Sequence, residues 1–278
     1  MKRIICLLFL LSLLFVGAVW AGAPQVIKVY SPSMKKQVEA VVVAPKDKSG
    51  RHPVVYLLHG AYSNDRKWLE VRPDLPRVAD SLGVIFVTPE AYNTWYFDSP
   101  MHKNVRYETF LSTELIDYMD SHYATIPNRS GRAIMGLSMG GHGALFTAFR
   151  HKDIFGACGS MSGGVDFRPF PDQWFIKNEL GEEKTHQEVW DRHVVVNNLD
   201  GITNHDLAII FDCGESDFFL SVNKELHQKL LNKGIDHDFI VRPGGHNNEY
   251  WANSFDYQML FSKNFLNIVS HIDSHIVY

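Results

Sequence analysis

The 278-residue sequence predicts an α/β architecture, a mostly parallel central sheet flanked by helices, and two observations carry that prediction. Short, nearly continuous apolar runs at residues 54–58, 84–87, 133–137, 155–160 and 207–211 have the pattern of strands covered on both faces. Stretches with helical spacing fall between them, at 75–81, 108–122, 139–150 and 218–232. Strands and helices alternating in this order form a doubly wound sheet, which binds ligands beyond the carboxyl ends of its strands. The residues that directly follow each apolar run therefore matter most.

Taken in order, the chain opens with Lys2-Arg3, an apolar run over residues 4–20, and Val19-Trp20-Ala21, small where a signal peptidase inspects. Residues 1–21 read as a secretory signal peptide, with an uncleaved anchor as the alternative, since a run of this length is at the lower limit for spanning a bilayer. Residues 22–278 then form one domain, outside the cytoplasm and without a further membrane segment. Runs 26–30 and 38–44 alternate like antiparallel strands, and 45–53 has turn composition. After 207–211 comes the helix 218–232, with Gly234 placed to end it, then a strand at 239–241 and a last helix at 250–269. Residues 164–205 break the rhythm. With Pro169, Pro171, Trp174, Trp190 and many charges, this stretch is too long for a simple crossover and reads as a helical insertion, a lid or pocket wall, or else a plain surface excursion.

A net charge of −4 with scattered Lys and Arg argues against nucleic acid as a partner. Cys6 lies in the signal segment, and Cys158 and Cys213 sit in apolar strand runs, where free buried thiols are expected. Despite 14 histidines, no spacing suggests a metal site, and no cofactor is expected.

The sharpest motif is Gly136-Leu137-Ser138-Met139-Gly140, between the strand run and a helical run. Strand, sharp turn and helix are the parts of a nucleophile elbow, which lifts a serine clear of the backbone. Serine alone is a poor nucleophile, so a base must take its proton and an acid must orient that base. After the run at 207–211, Asp217 stands where loop meets helix, with Asp212 and Glu215 as rivals. One helix and one strand later, Gly244-Gly245-His246 returns the chain to the same edge, making His246 the expected base. Oxyanion donors are expected from the backbone N–H groups of Met139 and Ala61, with Tyr62 as runner-up, and His59 is expected to fix its loop by hydrogen bonding.

Tyr56-Leu57-Leu58-His59-Gly60, Trp95-Tyr96 with Asp98-Ser99-Pro100, Tyr107-Glu108-Thr109, the Ser138 motif, Cys213-Gly214-Glu215-Ser216-Asp217-Phe218 and His246 with Tyr250-Trp251 together resemble the esterase D-like branch of the α/β-hydrolases. That branch includes feruloyl and acetyl xylan esterases of carbohydrate esterase family 1, tributyrin-type esterases, S-formylglutathione hydrolases and mycolyltransferases. The resemblance implies an α/β-hydrolase fold, Ser138, Asp217 and His246 as a triad, and Ala61 and Met139 as oxyanion donors. It also implies that Trp95 and Tyr96 border the acyl pocket. Trp251, on or near a predicted loop, is a further aromatic candidate for substrate contact. Export suits acetyl or feruloyl esters of plant polysaccharides better than a cytoplasmic glutathione thioester. The rivals are a mycolyl-type acyltransferase and a non-enzymatic glycan-binding protein.

Overall fold

The computed structural model describes residues 22–266, so the expected signal segment and the expected end of the last helix lie outside the described residues. Strands β1 (Gln25–Ser31) and β2 (Lys36–Val43) form an antiparallel ribbon. Strands β3 (Val54–Leu58), β4 (Ile85–Pro89), β5 (Arg132–Leu137), β6 (Ala157–Met161), β7 (Ala208–Gly214) and β8 (Asp238–Arg242) complete an eight-stranded sheet. Its order is β1-β2-β4-β3-β5-β6-β7-β8, antiparallel from β1 to β4 and parallel from β4 to β8. The mostly parallel α/β sheet expected from the apolar runs is therefore present, with the α/β-hydrolase strand arrangement.

The helices are α1 (Lys67–Val71), α2 (Leu75–Leu82), α3 (Tyr107–Thr109), α4 (Leu115–His122), α5 (Met139–Arg150), α6 (Ile176–Leu180), α7 (Gln187–His193), α8 (Leu220–Asn232) and α9 (Asn248–Phe265). Successive strand residues point to opposite faces, so β3 feeds two cores at once. Val54, Tyr56 and Leu58 pack with Leu115 of α4, Phe146 of α5 and Leu226 of α8. Val55 and Leu57 pack with Trp68 of α1, Leu75 of α2 and Phe255 of α9. Trp68 is fully buried and its indole N–H donates to the Leu58 carbonyl at 3.1 Å, which fixes α1 at the carboxyl end of β3.

Two features depart from the expected elements. The single helix over 108–122 is split by a π-helical turn at Phe110–Glu114. There the Ser112 hydroxyl bonds back to the Glu108 carbonyl at 2.8 Å, and Glu114 reaches out to Ser31 and to the Ser33 amide. Helix α1, five residues long, was not anticipated. The expected helical insertion holds α6 and α7 and is anchored to the core: Trp190 is fully buried, with its indole N–H donating to Gly181 O at 2.9 Å, and Phe167 and Leu180 join the core. Cys158 and Cys213 are free and buried, as expected.

Candidate active site

The carboxyl ends of β3, β5, β7 and β8 open on one edge of the sheet, and each delivers one part of the site. β5 ends at Leu137, and Ser138 follows with φ 56° and ψ −119°, outside the regions a side chain ordinarily allows. Such a conformation costs about 1–3 kcal/mol and persists only where its surroundings over-determine it. Here the Ser138 N–H donates to Met161 O at 2.9 Å, and its carbonyl accepts from His142 N at 3.1 Å and Gly164 N at 3.3 Å. The flanking glycines permit the close approach: a Cβ on Gly140 would meet Leu58 O at 2.3 Å, and one on Gly136 would meet Gly140 O at 2.2 Å.

The loops after β7 and β8 are stitched together before either contributes a side chain. Glu215 N–H donates to Arg242 O at 2.8 Å and Ser216 N–H to Gly244 O at 2.9 Å. Gly244 adopts φ 134°, open to glycine alone at little strain, and its carbonyl lies 2.4 Å from where a Gly214 Cβ would be. This stitching presents Asp217, buried, beneath the exposed turn that carries His246.

The side chains form an unbroken relay. His246 Nε2 lies 2.9 Å from Ser138 Oγ, and His246 Nδ1 lies 2.8 Å from Asp217 Oδ2. With Nδ1–H donating to the carboxylate, Nε2 is free to accept the serine proton. Asp217 Oδ1 accepts from Phe219 N–H at 2.9 Å, so both carboxylate oxygens are held. The rivals are elsewhere: Glu215 is exposed, and Asp212 is fully buried with Ser254, Gln258 and Arg242. Burial raises the Asp212 carboxyl above its usual range, with the Ser254 and Gln258 hydrogen bonds opposing that rise.

A cleft of about 320 Å³ lies over this relay, lined by Ala61, Tyr62, Ser138, Trp174, His246 and Trp251, with Ser63, Asn64, Lys67 and Glu70 along one side. Ala61 follows β3 at the rim, and Met139 opens α5. Neither amide donates to another group among the described residues. The Tyr62 amide does, to Asn93 Oδ1 at 2.7 Å, which leaves the Ala61 N–H as the one this loop can offer to a ligand oxygen. His59 is buried; its Nε2 accepts from Ala91 N–H at 3.1 Å, so Nδ1–H donates to Gly60 O at 2.8 Å. It fixes the loop, in line with the expectation from its position.

Trp95 and Tyr96 need correcting. Both have left-handed backbone, φ 56° and 63°, and both side chains turn beneath the cleft rather than into it. Trp95 packs against Phe97, His142 and Phe167, and its indole N–H donates to Trp174 O at 3.1 Å. Tyr96 donates from its hydroxyl to His59 O at 3.1 Å. They support the walls. Trp251 does line the cleft, 5.0 Å edge-on to His246. The insertion adds Trp174 to the cleft lining, where it stacks on Phe218, itself 4.4 Å from the His246 ring. His142, one turn along α5, ties that insertion to the elbow by donating from Nε2 to His193 O at 2.8 Å; complete burial pushes its pKa down to about 3 and keeps it neutral. Asn64, Lys67, Glu70, Asn93 and Phe218 were not anticipated as parts of the site, although the first three come soon after the β3 run.

Comparison with known proteins shows the family. The Esterase family model matches residues 31–261. An acetyl esterase of Caldicellulosiruptor saccharolyticus is 25% identical over 259 residues, covering 83% of this chain and 96% of that protein. A solved ferulic acid esterase superposes with a TM-score of 0.74 at 30% identity, over 88% of this chain and 100% of that one. The S-formylglutathione hydrolase of Staphylococcus aureus superposes with a TM-score of 0.75 at 20% identity, over 86% and 98%, a likeness that bears on the fold alone. The chain belongs to the esterase family, as a carboxylic-ester hydrolase with the α/β-hydrolase fold.

Proposed function

We propose that this esterase works through an acyl-enzyme on Ser138 and removes acetyl or feruloyl groups from plant polysaccharides outside the cytoplasm. The observation that carries the mechanism is the relay from Ser138 through His246 to Asp217 at 2.9 and 2.8 Å. Ser138 Oγ attacks the ester carbonyl carbon while His246 Nε2 takes its proton. The carbonyl oxygen gains negative charge and lies against the Ala61 and Met139 amides, an interaction in which one lost donor typically costs about 10²–10³-fold in kcat. The tetrahedral intermediate collapses, the C–O bond to the alcohol breaks, and His246 gives its proton to the leaving oxygen. Water then attacks the acyl-enzyme by the same steps in reverse roles, releasing the acid and restoring Ser138. Asp217 holds the imidazole in the tautomer this needs and balances the imidazolium charge.

The aromatic walls, Trp174 and Trp251, and relatives named acetyl esterase and ferulic acid esterase support the substrate class. The Lys2-Arg3 and apolar leader supports export. The test is hydrolysis of p-nitrophenyl acetate, methyl ferulate and acetylated xylan side by side by the wild type and Ser138→Ala. Turnover lost by at least about 10⁴-fold in the variant is expected. Turnover that survives the substitution rejects the mechanism, and activity on p-nitrophenyl acetate alone rejects the polysaccharide substrate.

A further inference from the structure

The side of the cleft formed by residues 63–70 differs in chemistry from the rest. Lys67 is mostly enclosed, its side chain 17% exposed, and its ammonium sits 3.2 Å from Glu70 Oε2. That contact uses one of three ammonium donors. Asn64 spends its carbonyl oxygen on the Arg66 amide at 2.9 Å, while its NH₂ group and the Ser63 hydroxyl bond no other described residue. The segment thus offers spare donors and a carboxylate acceptor side by side, with the Lys and Glu charges cancelling. A neutral group with several hydroxyls satisfies such a set, whereas a charged group would face a like charge on one partner or the other.

Position says which half of the ester lies there. The alcohol oxygen must leave beside His246 Nε2, because that nitrogen protonates it. Trp251 stands edge-on to His246 at 5.0 Å, and α1, which carries Lys67 and Glu70, is bound to the start of α9, which carries Trp251. Arg72 donates to Ala252 O at 3.2 Å and to Asp256 Oδ1 at 2.5 Å, and Trp68 packs on Phe255 at 5.8 Å. Lys67, Glu70 and Trp251 therefore form one wall, adjoining the proton donor. The part of the Trp251 indole that reaches the cleft can touch a sugar's C–H groups, and the polar pair its hydroxyls. Trp174 and Tyr62 make the rest of the lining aromatic, which suits the acyl group.

From the juxtaposition of Lys67, Glu70, Asn64 and Trp251 beside His246, we infer that this wall is a subsite for a neutral sugar as the alcohol half of the ester, with Lys67 and Glu70 setting that specificity. The inference rests on the Ser138 reading above. Its test compares 2-O-acetyl-xylose with methyl acetate, and 5-O-feruloyl-arabinose with methyl ferulate, for the wild type, Lys67→Met and Glu70→Gln. The readout is the ratio of kcat/KM between sugar ester and methyl ester, which does not depend on the fraction of protein folded. The wild type should favour the sugar ester in at least one pair, and each variant should lower that ratio about ten-fold, as expected for a lost hydrogen bond to a charged group. A wild type without such a preference, or variants whose ratio stays at the wild-type value, would overturn the subsite. Absence of Ser138-dependent hydrolysis of every ester would instead overturn the esterase mechanism and the subsite with it, so the two failures are told apart.

Discussion

Replacing Asp217 with Asn changes one atom in a position where both carboxylate oxygens are committed. Oδ2 accepts from His246 Nδ1–H at 2.8 Å, and Oδ1 accepts from Phe219 N–H at 2.9 Å. An amide cannot serve both. With its NH₂ toward His246, the imidazole must carry its proton on Nε2 and can no longer accept from Ser138. With its NH₂ toward Phe219, two donors meet in a buried site, which costs about 1–3 kcal/mol. In either orientation the negative charge that would balance the imidazolium is gone. At roughly 4 Å between charge centres and an effective dielectric constant of about 20, that balance is worth about 4 kcal/mol, or about three orders of magnitude in rate. Adding the lost tautomer, kcat on p-nitrophenyl acetate should fall about 10³–10⁴-fold. Glu215→Gln, altering an exposed carboxylate, should stay within about three-fold of the wild type. An Asp217→Asn enzyme within ten-fold of the wild type would refute the reasoning, since neither the tautomer nor the charge would then matter.

Other perturbations probe the supports of the site. Gly140→Ala drives a methyl to 2.3 Å from the Leu58 carbonyl oxygen, a backbone atom that cannot swing aside, and should cost about 3 kcal/mol of stability by urea unfolding. Asn93→Ala removes the acceptor that holds the Tyr62 amide, and should lower kcat about ten-fold with little change in KM, while Asn93→Asp, which keeps an acceptor, should restore most of it. Burial alone would raise the Glu108 carboxyl, but its hydrogen bonds to His151 and Arg150 outweigh burial and hold its pKa below the ordinary glutamate range. A folded pKa below the unfolded one gives stability that is present above the unfolded pKa and lost as pH falls through the folded one. The stability gap between the wild type and Glu108→Gln in thermal melts should therefore shrink as pH falls through the range where carboxylates titrate, and a gap that widens on acidification would contradict that sign.

How far the sequence discloses this molecule varies with the physics of each part. Strand β3 and helix α5 begin and end where the apolar periodicity places them, because burial on both faces leaves little choice of residue there. Ser138, Asp217 and His246 are legible as a group, since each follows an apolar run and the sheet carries all those ends to one edge. Helix α1 is not, because five residues span little more than one turn and cannot display an amphipathic period. The burial of Trp95 and Tyr96 was equally hidden: non-glycine residues at positive φ are set by surrounding packing, not by their own preferences. The π-helical turn at Phe110–Glu114 depends on Glu114 finding Ser31 and Ser33, partners more than 80 positions away in the chain. The wall that Trp174 gives to the cleft likewise depends on distant contacts, with Trp95 and Phe218.

The account turns on a covalent bond between the substrate acyl group and one hydroxyl. Rapid acid quenching of the enzyme during p-nitrophenyl acetate turnover, followed by peptide mass spectrometry, reads that bond directly. One acetyl group on the peptide containing Ser138, absent from Ser138→Ala, is the predicted result. Steady turnover with that peptide unmodified under conditions where deacylation is slow, or acetyl on a different residue that Ser138→Ala leaves in place, would contradict it.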